Sequence, residues 1–108
     1  MNKSACQVVL CTCPDVETGN RIATALVEEG LAACVNIHTP MTSVYRWHGK
    51  IETANECQLV IKSMAEHYAN IEKRIVELHP YELPEIIAVP IVAGLEPYLT
   101  WLSSTENN

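Results

Sequence analysis

Between Ala33 and Ser63 the sequence runs as two long extended arms about a His48-Gly49 dipeptide. Each arm is about 14 residues, roughly 45 Å at ~3.3 Å per residue, where an ordinary strand has ~5–6 residues. The other strand candidates, Gln7–Cys13 and Ile86–Ile91, are about half that length. A hairpin that outruns its own sheet leaves its far half without a core. That overhang carries Val44, Tyr45, Trp47 and Ile51, which would expose apolar surface in a lone chain. A second copy of the same chain is the simplest cover. The sequence reads as oligomeric first.

The 108 residues fit one domain, 1–108, with a core over about 7–102 and a polar tail at 103–108. Hydrophobic residues make up 48% of the chain, enough for a packed core without staples. Net charge is −6 and the seven Lys and Arg are scattered, which argues against nucleic acid or an anionic membrane, since both need a basic face. No apolar run approaches the ~20 residues of a membrane span. Met1-Asn2-Lys3-Ser4 lacks the layout of a secretory signal, so a cytoplasmic location is expected. Five cysteines, an odd number, fit reduced thiols better than a disulfide framework. Cys34 and Cys57 read as small core hydrophobes.

Val8 to Cys13 is a short apolar run closed by Pro14. Asp15 stands at the N-cap of a helix whose apolar stripe is Ile22, Ala23, Leu26 and Val27, with Gly30 as its stop and Leu31 packing back on the last turn. A second helix, about 66–78, shows Tyr68, Ile71, Ile75 and Leu78 at helical spacing and ends at His79-Pro80. Ile86–Ile91 is the last strand. Pro97 starts a short helix holding Leu99, Trp101 and Leu102. The order β-α-β-β-α-β plus a terminal helix, with right-handed crossovers, is the split-βαβ, ferredoxin-like α+β sandwich with sheet order 4-1-3-2.

The hairpin carries an inconsistency. A two-residue turn sets Trp47 opposite Lys50, and continuing that register sets His38 opposite Leu59 and Asn36 opposite Ile61. One extra residue in the first arm brings Ile37 to Leu59 and Val35 to Ile61 instead. A β-bulge at Thr39-Pro40 is the economical repair, because proline cannot donate to the ladder.

This topology gathers Cys11, Cys13, His79, Tyr81 and Glu85 at one sheet edge, with the tip Tyr45–Lys50 projecting beyond it. Cys11 and Cys13 alternate onto one face, and two thiolates with an imidazole can hold a soft or borderline ion such as copper or zinc. The alternatives are buried core cysteines and a His79 that caps its helix C-terminus as a cation. His38, His48 and His67 read as surface or turn residues. A Cys–His nucleophile lacks an oxyanion hole and a third member, so no enzyme is expected. Tyr45, Trp47 and Tyr81 are interface anchors or ligand clamps. Glu56 and Lys62 form a solvated face or line a cleft between subunits.

Tyr45-Arg46-Trp47-His48-Gly49-Lys50, His79-Pro80-Tyr81-Glu82-Leu83-Pro84-Glu85 and Tyr98-Leu99-Thr100-Trp101-Leu102, together with Gly30–Asn36 and Gln58–Lys62, resemble the CutA divalent-cation-tolerance family over residues 7 to 102. The resemblance implies a homotrimer of ferredoxin-like subunits, similar to PII signalling trimers, with long hairpins laid along neighbouring sheets. It also implies a cytoplasmic, non-catalytic role in tolerance of copper and other divalent metals. Some members bind copper through the cysteine closing the first strand and two histidines before Pro-Tyr. Cys11 and His79 match two of these positions and Leu78 takes the third, so the implied Cu2+ ligands are Cys11 and His79, with Cys13 beside them. The PII likeness implies a second reading, a sensor with inter-subunit clefts for a small anionic ligand, using Tyr45, Trp47, Glu56, Lys62, Tyr81 and Glu85.

Overall fold

The computed structural model describes residues 5–105; Met1–Ser4 and the last three residues of the polar tail lie outside them. The elements are β1 (Cys6–Cys13), α1 (Val16–Glu28), β2 (Cys34–Trp47), β3 (Lys50–Met64), a 3-10 turn (Ala65–His67), α2 (Tyr68–Leu78), β4 (Ile86–Pro90) and α3 (Glu96–Thr105). The sheet order is β2-β3-β1-β4 and every pair is antiparallel, as the ferredoxin-like reading requires.

Alternation along β1 divides the molecule. Val9, Cys11 and Cys13 point to the helical layer and meet Leu59, Ile61, Ile22, Leu26, Ile71 and Ile75 in the main core. Helix α1 begins where the Asp15 carboxylate accepts from Thr18 N at 2.8 Å, which holds that carboxyl below its ordinary range. Gly19 lets α1 lie close on the sheet: a Cβ there would stand 3.2 Å from both Cys57 Sγ and Leu59 Cδ2. Helix α2 starts two residues later than the apolar spacing suggests. The 3-10 turn leads into it without a side-chain cap.

The opposite face of the sheet has no helical layer. Val8, Leu10 and Val60 lie there with Ile87 and Val89, in rows fixed by the pairings Leu10–Val60, Leu10–Ile87 and Val8–Val89. Helix α3 covers only one end of this face, where Leu99 and Leu102 cluster with Cys6 and Met64. It begins at Glu96 and runs on through Thr105, taking in Ser103 and Ser104, whose hydroxyls donate back to the carbonyls of Thr100 and Trp101. Cys57 is buried as expected. Cys34 is half-buried, since alternation puts it on the face without helices.

The hairpin shows the predicted slip. Ile37 pairs with Leu59 and Val35 with Ile61, Trp47 pairs with Lys50, and the register shifts between His38 and Met41 around a cis Thr39-Pro40 bond. His48 and Gly49 both have positive φ, the type I′ conformation that matches strand twist. The principal extents are 46 × 25 × 23 Å, and the radius of gyration, 14.5 Å, exceeds the ~13 Å of a compact domain this size. The excess is the hairpin.

Candidate functional site

Cys11, Cys13 and His79 come together at the closing end of β1. The two thiols are fully buried on the helical side of the strand. Pro80 keeps His79 out of the α region, so the chain turns extended there (φ −83°, ψ 135°) and swings the ring inward, 8% exposed. His79 Nδ1 accepts from Tyr81 N at 3.1 Å, which leaves Nε2 to donate to the Thr12 carbonyl at 2.7 Å. The helix end is capped by the His79 backbone N–H, which donates to the Ile75 carbonyl, while the ring is bonded at both nitrogens to groups outside the helix. One ligand atom from each of Cys11, Cys13 and His79 lies within 4.8 Å of the others.

The Cys13 thiol is pushed far above its ordinary range, first by its hydrogen bond with Cys11 and then by burial. Cys57, directly across β3 from Cys13, is raised mainly by burial, and its thiol donates to the Asp15 carbonyl at 3.2 Å. These donors fit a soft or borderline ion in type and spacing. To bind one, the thiols must release protons and His79 must open one of its two bonds. Where it does, Cys11, Cys13 and His79 would hold the ion.

On the other face of the same sheet edge lies a cleft of about 620 Å³. Met41, Ser43, Tyr45, Trp47, Glu56 and Gln58 line it from the hairpin, and the 81–85 segment closes it. Tyr81 donates its hydroxyl to Glu56 Oε2, and burial, then that bond, push the phenol above its ordinary range. Thr12 joins the two sites. Its carbonyl accepts from His79 on one side while its hydroxyl donates to Glu85 Oε1 at 2.7 Å on the other.

Five of the six expected cleft residues, Tyr45, Trp47, Glu56, Tyr81 and Glu85, thus converge within one chain. Lys62 does not. It sits between Val8 and Cys34 toward the other end of β3, and its ammonium bonds the Asn36 side chain. Sequence reasoning missed Thr12, Gln58 and Glu82. Gln58 was legible, two residues from Glu56 on the same strand face.

A ferredoxin-like sandwich with an overlong hairpin and a thiol–imidazole cluster at one sheet edge defines the structural class, a small α+β protein. The chain belongs to the CutA family: the family model "CutA1 divalent ion tolerance protein" matches residues 7–105. The divalent-cation tolerance protein CutA of Thermus thermophilus is 47% identical over 96 residues, covering 89% of this chain and 93% of that one. CutA of Xylella fastidiosa superposes with a TM-score of 0.91 at 47% identity, covering 97% of this chain and 100% of the other. The expectation of a cytoplasmic location is overturned. A structural relative from Archaeoglobus fulgidus, TM-score 0.90 at 39% identity over 94% of this chain and 98% of its own, is called periplasmic. An Arabidopsis thaliana relative, 40% identical over 94% of this chain and 56% of its own length, is called chloroplastic. Membership in the family spans compartments and does not fix one. No helix among the described residues is long and apolar enough to cross a membrane.

Proposed function

We propose that this protein serves divalent-cation tolerance by binding a soft or borderline metal ion, copper foremost, at Cys11, Cys13 and His79 of each subunit of a homotrimer. The observation that carries the reading is the juxtaposition of two buried thiols and an imidazole within 4.8 Å, at the strand end that the family resemblance marks. Family names supply the coarser half, tolerance of divalent cations. The role is binding or regulation, with no catalytic step assigned.

Calorimetric titration of the full chain with copper, and with zinc as a redox-inert control, tests the site. One ion per chain is expected, weakened roughly ten-fold or more in Cys11→Ser and in Cys13→Ser. Unchanged affinity in both variants would overturn it.

A second reading, a small-molecule sensor, is favoured by one specific observation: the cleft beside the thiol–imidazole cluster shares Thr12 and Tyr81 with it. A ligand seated against Tyr81 and Glu85 would act on the two bonds that orient His79.

A further inference from the structure

Beside the three candidate ligands, a further thiol lies in the same core. Cys57 stands directly opposite Cys13 in the β1–β3 ladder, and both side chains share the helical side of the sheet. Opposed residues in an antiparallel pair have Cα atoms ~4.5 or ~5.5 Å apart, and either spacing lies within the ~4.4–6.8 Å that a disulfide spans. No other two of the five free cysteines are so placed. Cys11 and Cys13 share a strand, which sets their parallel Cβ atoms ~6.6 Å apart, where a disulfide needs ~3.5–4.5 Å. Cys6 opposes Met64 at the far end of β1, and Cys34 points to the face without helices. Cys13 is 0% and Cys57 1% exposed in one chain alone, so no covering copy is needed to complete their surroundings.

We propose that Cys13 and Cys57 are a two-electron donor pair that reduces Cu2+ delivered to Cys11, Cys13 and His79 and closes to a cross-strand disulfide. The inference rests on the metal reading of that cluster and adds a redox step to it. Cys13 is common to both arrangements. Its thiol lies within 4.8 Å of the ligand atoms of Cys11 and His79, and it faces Cys57 across the ladder. In the step two S–H bonds break, one Sγ–Sγ bond forms and two protons pass to solvent. Two Cu2+ ions each take one electron, the first leaving as Cu+ before the second enters. Thiolate ligands select Cu+, which favours the transfer. The pair is spent after one turn, so the step is stoichiometric. Closing the bond costs the fold little. Cys57 gives up its donation to the Asp15 carbonyl at 3.2 Å, but that carbonyl keeps its bond from Gly19 N at 3.1 Å. No buried acceptor is left unmet there. The new bond joins residues that are already paired, so the strand register stays as it is.

Anaerobic addition of Cu2+ to the fully reduced full chain tests the inference, with Zn2+ as the redox-inert control. Bicinchoninate absorbance counts Cu+, alkylation after denaturation counts thiols, and peptide mapping locates the cross-link. With copper, two Cu+ per chain are expected, free thiols should fall from five to three, and the cross-link should join Cys13 to Cys57. Zinc should leave all five thiols. Cys57→Ser should keep copper binding and lose the cross-link, with circular dichroism checking that it folds. Copper bound with every thiol intact and no Cu+ would overturn the inference and leave the metal site standing. Neither copper binding nor thiol loss would overturn both. A cross-link to Cys11 or between chains, or thiol loss unchanged in Cys57→Ser, would assign the electrons to another thiol and overturn the inference. Undiminished oxidation in Cys11→Ser would mean that copper acts from outside the cluster, which overturns the metal reading and this inference together.

Discussion

Thr12 is bonded on both faces of the sheet, through its carbonyl to His79 and its hydroxyl to Glu85. Thr12→Val keeps the first bond and removes the second, so it should cost about 1 kcal/mol in chemical denaturation and leave metal affinity largely intact. Loss of metal binding in that variant would mean that the cleft positions the imidazole more strongly than its own backbone bonds do. The raised Cys13 thiol sets a sign for pH: copper displaces protons held more tightly than usual, so affinity should rise steadily as pH increases, read by titration at several pH values. The Asp15 cap works on the acid side. Its folded value lies below the ordinary 3.8, so its contribution is complete above that pH and lost as pH falls through the folded value, a decline that Asp15→Asn should remove from the acid limb of thermal stability. The cysteines were legible because alternation fixes which side of a strand each faces. The inward turn of His79 was not, because it depends on Tyr81 N and the Thr12 carbonyl, groups that no side-chain pattern reveals. Within one chain Lys62 bonds the Asn36 side chain, a partner that strand register, which says only which residues oppose it, does not reveal.

The hairpin is where pattern and geometry agree most closely. Two apolar arms could meet only if one of them held an extra residue, and the register shift falls between His38 and Met41, at the proline that cannot join the ladder. Deleting Pro40 removes that residue and forces a choice: either Ile37 and Val35 leave Leu59 and Ile61, or the tip pairing at Trp47–Lys50 breaks. Such a variant should lose several kcal/mol, in the range of a large-to-small core substitution such as Leu59→Ala at ~2–5 kcal/mol, measured by chemical denaturation. Near-wild-type stability would mean that the bulge is not what aligns the arms. The ends of α2 and α3 were harder to read. Helix α2 is entered through a 3-10 turn without a side-chain cap and α3 runs on into polar serines, so neither boundary follows the apolar stripe.

The hairpin tip leaves Val44 and Ile51 68% and 62% exposed, the sheet face without a helical layer leaves Ile87 and Val89 open, and α3 leaves Tyr98 and Trp101 open as well. Exposed apolar surface on this scale is what a covering copy of the chain would bury. The exposed overhang was legible in the length of the hairpin, whereas the expectation of three copies comes only from the family resemblance. A trimer that covers these faces should bury on the order of 2,000 Å² or more at each interface, as obligate assemblies do. Its thermal midpoint should then rise with protein concentration, without a stable folded monomer. Val44→Glu together with Ile51→Glu, two exposed changes that disturb no core contact, should nevertheless lower that midpoint by introducing unpaired charge into the interface. The metal reading and the assembly meet in one measurement, native mass spectrometry of the full chain with and without copper. The account predicts a main species at three times the 12.0 kDa chain mass that gains one copper ion per chain. A folded 12.0 kDa species as the main peak, gaining no copper, would contradict it.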